Sequence, residues 1–213
     1  MSPIDIKSST IDKSLDLIKS FVQKLIGPAV DEIGEMFADH VKIWRLKNQI
    51  RNLEKVKKII DANHIPIQNI PIKVLLPYLE GVSLEEDNLL QDIWANLLIN
   101  YIDARKNLTQ TIYPQILKQL SSDDVRYLQI LKKEGYIYVG RSQASENKVT
   151  AEDLSNLERM HLVTETIGIN KTDYQYGEYE PIGIEEYTPT LFALGFMRAC
   201  GITGNEAEPS TTN

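Results

Sequence analysis

The sequence predicts a mainly α protein: a helical N-terminal body with one long amphipathic helix, then a small α+β module of winged-helix-like order. Three observations predict it. Apolar residues recur at three- and four-residue steps as far as Gly135, short β-type runs take over beyond it, and Gly, Pro and Ser/Thr punctuation falls where the periodicity breaks. On this reading residues 1–120 form the helical domain and 121–203 the module. The tail 204–213, made mostly of Glu, Pro, Ser, Thr and Asn, is expected to be disordered.

Ile11, Leu15, Ile18, Val22, Leu25 and Ile26 line one face of a first helix, with Lys13, Asp16, Lys19 and Lys24 between them. Gly27-Pro28 ends it and opens a second helix, whose early turns carry Asp31, Glu32, Glu35 and Asp39. Its apolar positions continue through Val41, Trp44, Leu46, Ile50, Leu53, Val56 and Ile60, and ~30 helical residues would span about 45 Å. Pro66 and Pro71 then force an extended linker whose alternating isoleucines keep contact with a core. A short helix over Ile72 to Leu79 is expected to close at Gly81. Ser83 and Glu86 have the capping-box spacing ahead of the periodic run Leu89 to Ile102, the expected central helix. Further helices are expected over Ile112 to Leu120 and Asp123 to Glu134, with Ser121-Ser122 as the cap site of the second and Gly135 as its stop. Beyond it come β-type runs at Tyr136–Val139, Leu162–Ile167 and Ile182–Tyr187. Between the first two lies a helix from Ala151 to Met160, capped by Thr150, and Thr188-Pro189 opens a last helix to Cys200.

Composition narrows the function. The chain has 213 residues, 42% of them hydrophobic, enough to bury a core and to exclude wholesale disorder. With 23 basic and 30 acidic side chains the net charge is −7, which disfavours generic coating of nucleic acid or anionic membrane. Cys200 is the single cysteine, so no intrachain disulfide can form, and the opening MSPIDIKSSTIDKS lacks the pattern of a signal peptide. A cytoplasmic protein is expected.

No catalytic chemistry announces itself. His40, His64 and His161 lie far apart and form no H-x-x-x-H or H-E-x-x-H pair, and no glycine-rich phosphate loop or R-x4-6-H ribonuclease motif is present. Glu32, Glu35 and Asp39 overlap on one helix but lack the Glu-x-x-His pairs of di-metal bundles. Cys200 reads as a small buried side chain. No enzyme, cofactor or metal is expected.

The clearest feature is electrostatic. Lys42, Arg45, Lys47, Arg51, Lys55, Lys57 and Lys58 crowd one helix half against Glu54 alone, and Glu80, Glu85, Glu86, Asp87, Asp92 and Asp103 form the acidic counterpart. The two zones can satisfy each other within the monomer or across a homo-oligomer. The alternatives use the basic half as a nucleic-acid or membrane surface. The helix Ala151 to Met160 carries Glu152, Asp153 and Glu158, which argues against its entering a DNA groove. Tyr174, Tyr176 and Tyr179, with Tyr187, are candidate partner contacts.

Gly27–Met36, Trp44-Arg-Leu-Lys-Asn48, Leu53-Glu-Lys55, Leu75–Gly81, Trp94-Ala-Asn-Leu-Leu98, Tyr113–Ser121 and Tyr187–Cys200 together resemble the abortive-infection alpha family of bacteria and archaea. The resemblance covers roughly Gly27 to Cys200. It implies a role in phage defence, in which infected cells stop growing before progeny emerge, and it carries over no catalytic residue. Joined to the missing motifs, it points to an interaction protein acting through protein contacts.

Overall fold

The structure, a computed structural model, describes residues 20–25, 43–139, 149–167 and 185–204. It is mostly helical with a small three-stranded antiparallel sheet toward the C-terminus. The chain divides into two units, Met1–Gln119 and Leu120–Asn213.

In the first unit residues 20–25 are helical and bury Val22 and Leu25. Helix α1 runs Ile43–Asn63, α2 Ile72–Leu84, α3 Asn88–Ile102 and α4 Tyr113–Leu117. The expected start of the long helix, near Pro28, lies outside the described residues. α1 ends in a Schellman turn: His64 takes a left-handed φ of 48° and the Ile65 N–H donates to the Ile60 carbonyl at 3.1 Å. The linker after it is extended and docked, with Gln68 N–H on Ile102 O and Ala104 N–H on Pro66 O, both at 2.8 Å. Ile65 and Ile70 are buried, whereas Ile67 and Ile72 are exposed, so the isoleucines do not all reach the core.

Two expectations around α2 are corrected. Gly81 does not close the helix, which continues to Leu84; a Cβ at Gly81 would stand 2.5 Å from Trp94 Cη2, so the glycine serves close packing against that ring. Ser83 is not the cap of the next helix. It lies in the last turn of α2 with its hydroxyl on Glu80 O, and Asp87 caps α3 by accepting from Leu90 N–H at 3.0 Å. Trp94 and Tyr78, both almost fully buried, meet edge to face at 5.6 Å between ring centres.

A polar seam runs through this packing. α1 presents Asn48, Gln49 and Asn52, all buried, toward α2 and α3. Asn48 donates to Ser83 O at 3.2 Å, one of the α2 carbonyls left without an intrahelical partner, and Gln49 donates to Leu79 O at 3.0 Å. Asn52 Nδ2 donates to the carbonyl and side-chain oxygens of Gln91 at 2.7 and 2.6 Å, while its Oδ1 accepts from the Tyr78 hydroxyl. Three helices are thereby joined by hydrogen bonds in a water-poor interior, where such bonds are costly to leave unmade.

The second unit has the order α5 Ser122–Glu134, β1 Ile137–Val139, α6 Ala151–Arg159, β2 Val163–Ile167, β3 Glu185–Pro189 and α7 Leu191–Cys200. The sheet order is β1-β3-β2, with Ile137 opposite Tyr187 and Tyr187 opposite Glu165. Capping boxes at Ser121/Asp124 and Thr150/Asp153 start α5 and α6, and Gly135 ends α5 in the left-handed region. Thr188 and Pro189 belong to β3 rather than to the last helix, because Thr190 is its cap, accepting from Ala193 N–H at 3.0 Å. Leu128, Leu131, Leu154, Leu157, Phe196 and Cys200 form the centre of this core.

Candidate functional site

The charged zones of α1 and α3 meet inside the first unit. Lys55 forms an ion pair with Asp92, and Arg51 donates to Asn88 Oδ1 one turn earlier on α3. Both side chains are half-buried, while Lys47, Lys57 and Lys58 are exposed and Arg45 is half-buried. Lys42 lies outside the described residues.

The six acids do not make one surface. Glu80 is exposed and pairs with Lys118 at 2.7 Å. Glu85 is half-buried; burial pushes its carboxyl up, and the neighbouring Asp87 adds to that while its N–H, donated at 2.9 Å, opposes it. Asp87 is spent as the α3 cap, and Glu86 is exposed. Asp103 is only 2% exposed, which removes it from any acidic face. Its carboxylate accepts from Arg105 Nε at 2.8 Å, from an Arg105 terminal nitrogen at 2.9 Å and from the Arg105 N–H at 3.0 Å. The guanidinium holds that carboxyl below the usual range. Asp103 is drawn inward because its backbone bridges Ile67 of the docked linker.

Tyr174, Tyr176 and Tyr179 lie outside the described residues, as do His40, Glu32, Glu35 and Asp39. Tyr187 is buried at the middle of the sheet, so it packs rather than contacts a partner. Two tyrosines not singled out as contacts stand outside instead: Tyr136 and Tyr138, whose rings lie 4.7 Å apart. The signal was present as Tyr-x-Tyr at strand spacing, which puts both rings on one face.

Cys200 is fully buried, and burial pushes its thiol well up, the opposite of what a nucleophile needs. Among the described residues no three His, Cys, Asp or Glu side chains gather as metal ligands, and no helix is long and apolar enough to cross a membrane. A cleft of about 150 Å³ between residues 20–25 and α1 has Phe21, Ile50, Leu53 and Ile60 in its walls, with Lys24, Glu54, Lys57 and Asp61 also lining it.

Residues 41–200 match the family model described as abortive infection alpha. No curated protein and no solved structure matches the chain.

Proposed function

The chain belongs to the abortive infection alpha family, and from that premise we propose that it acts in abortive-infection defence against phage as a non-enzymatic, cytoplasmic protein that works by contacting another protein. The observation that carries this reading is the division of charge between the units. Residues 1–119 hold 15 basic and 15 acidic side chains, whereas residues 120–213 hold 8 and 15, so the whole net charge of −7 belongs to the C-terminal unit. Such a unit repels phosphate polymers and anionic lipid and attracts basic polypeptide. The order α5-β1-α6-β2-β3-α7 favours a winged-helix-like reading of it, but the exposed Glu152, Asp153 and Glu158 on α6 argue against that helix entering a DNA groove.

A nucleic-acid reading draws on the exposed Lys47, Lys57 and Lys58. It is weakened by the engagement of Lys55 and Arg51 with α3. Retention of DNA or RNA at ~150 mM salt, lost in Lys57→Glu/Lys58→Glu, would favour it over the protein-contact reading.

The test of the proposed role is phage challenge of cells expressing the full chain at low and high phage-to-cell ratios. Protection at the low ratio with culture collapse at the high one is expected. Unchanged infection across a diverse phage panel would count against it.

A further inference from the structure

The segment Tyr136-Ile-Tyr-Val139 alternates with a period of two, and the alternation sorts its side chains by face. Ile137 and Val139 point into the core at 5% and 8% exposure, while Tyr136 and Tyr138 stand out at 41% and 49%. The two rings are tilted by 46° at a centroid distance of 4.7 Å. Tyr138 lies opposite Glu186 on β3, and Glu186 lies opposite Thr166 on β2, so one row across the sheet reads tyrosine, carboxylate, hydroxyl. The next row on the same face pairs Thr188 with Thr164. The Tyr138 hydroxyl hydrogen-bonds the Glu186 carboxylate, and burial together with that carboxylate pushes the hydroxyl up.

This face therefore offers two aromatic rings beside one carboxylate, on the unit that carries the whole net charge of the chain. A planar cation that stacks on a ring while donating in its own plane to a carboxylate complements it, and arginine is the side chain with both properties. Lysine offers a point charge without the plane. We propose that the Tyr136–Tyr138–Glu186 face docks an arginine-bearing segment of a second protein, the guanidinium lying on the tyrosine rings and donating to the Glu186 carboxylate. The inference rests on the protein-contact reading above and names the surface and the chemistry of the partner.

The test uses the full chain at ~150 mM salt, where diffuse attraction is largely screened. Fluorescence anisotropy measures the binding of a labelled peptide alternating arginine and serine, and of the same peptide with lysine in place of arginine. The arginine peptide is expected to bind about fivefold more tightly, and Tyr136→Ala/Tyr138→Ala and Glu186→Gln each to weaken it about tenfold. Glu152→Gln, at an exposed acid on α6, leaves binding unchanged. Tyr138→Phe keeps the ring and retains most of the binding, which guards against loss through misfolding of the alanine variant. Equal binding of the two peptides, or equal losses from Glu152→Gln and Glu186→Gln, overturns the proposal in favour of diffuse charge. Self-association in sedimentation that the tyrosine variants abolish assigns the face to a second copy and overturns it as well. If the wild-type chain protects cells from phage but the peptide result fails, only this surface falls; if the wild type never protects, the defence role falls whatever the peptide does.

Discussion

His161 occupies the left-handed region at φ 55°, where it closes α6 in a Schellman turn with Leu162 N–H on Leu157 O at 2.8 Å. A side chain with a Cβ is strained there by roughly 1 kcal/mol, and glycine is not. His161→Gly is therefore expected to stabilise the chain by about 0.5–1 kcal/mol, measured as a rise in the denaturant midpoint. His64 plays the same part at the end of α1, so two of the three histidines that a search for metal or acid–base chemistry would pick out terminate helices. Asp103 gives a prediction in pH. Arg105 depresses its folded pKa, so the native chain binds this proton less readily than the unfolded one. Its stabilisation is present above the unfolded value of about 3.9 and is lost as pH falls through the lower, folded value. Asp103→Asn should lower stability at neutral pH and flatten its decline below about pH 4, as read by urea unfolding across pH.

At the level of elements, the local code was legible wherever a cap, a stop and an apolar stripe agreed. The Ser121 and Thr150 caps, the Gly135 stop and the Leu89 to Ile102 stripe all appear in the structure. It misled where a residue answered to a distant partner. Gly81 looks like a helix stop in isolation, but the Trp94 ring thirteen positions on is what requires it. Gly81→Ala should thus destabilise by about 1–3 kcal/mol despite alanine's better helix propensity, seen as a lower thermal midpoint. Ser83 has the capping-box spacing, yet α2 runs through it and Asp87 takes the cap. The charged residues were equally visible, but not their helical phase. Phase is what divides Lys55 and Asp92, paired with each other, from Asp103, turned inward, and from Lys47 and Lys58, left in solvent.

Across the whole molecule, charge is the quantity that separates the two units. Self-repulsion among the excess acids of residues 120–213 opposes compactness there, and salt screens it. Raising the salt from ~20 to ~200 mM is expected to slow amide hydrogen exchange in β1, β2 and β3 while leaving α3 nearly unchanged, because residues 1–119 are balanced and the Lys55–Asp92 and Glu80–Lys118 pairs are only partly buried and weak. Uniform slowing in both units would show that the charge division has no energetic consequence.

The seam of Asn52, Tyr78 and Gln91 has a consequence of another kind, for descent rather than for energy. Each of the three supplies a donor or acceptor that another of them uses, on three different helices. Loss of Asn52 strands the Tyr78 hydroxyl and the Gln91 side-chain oxygen, loss of Tyr78 or Gln91 leaves a bond of Asn52 unmade, and only joint replacement by apolar residues relieves all three. These positions are expected to be inherited together or exchanged together among relatives, while their exposed neighbours Glu54 and Lys58 drift independently.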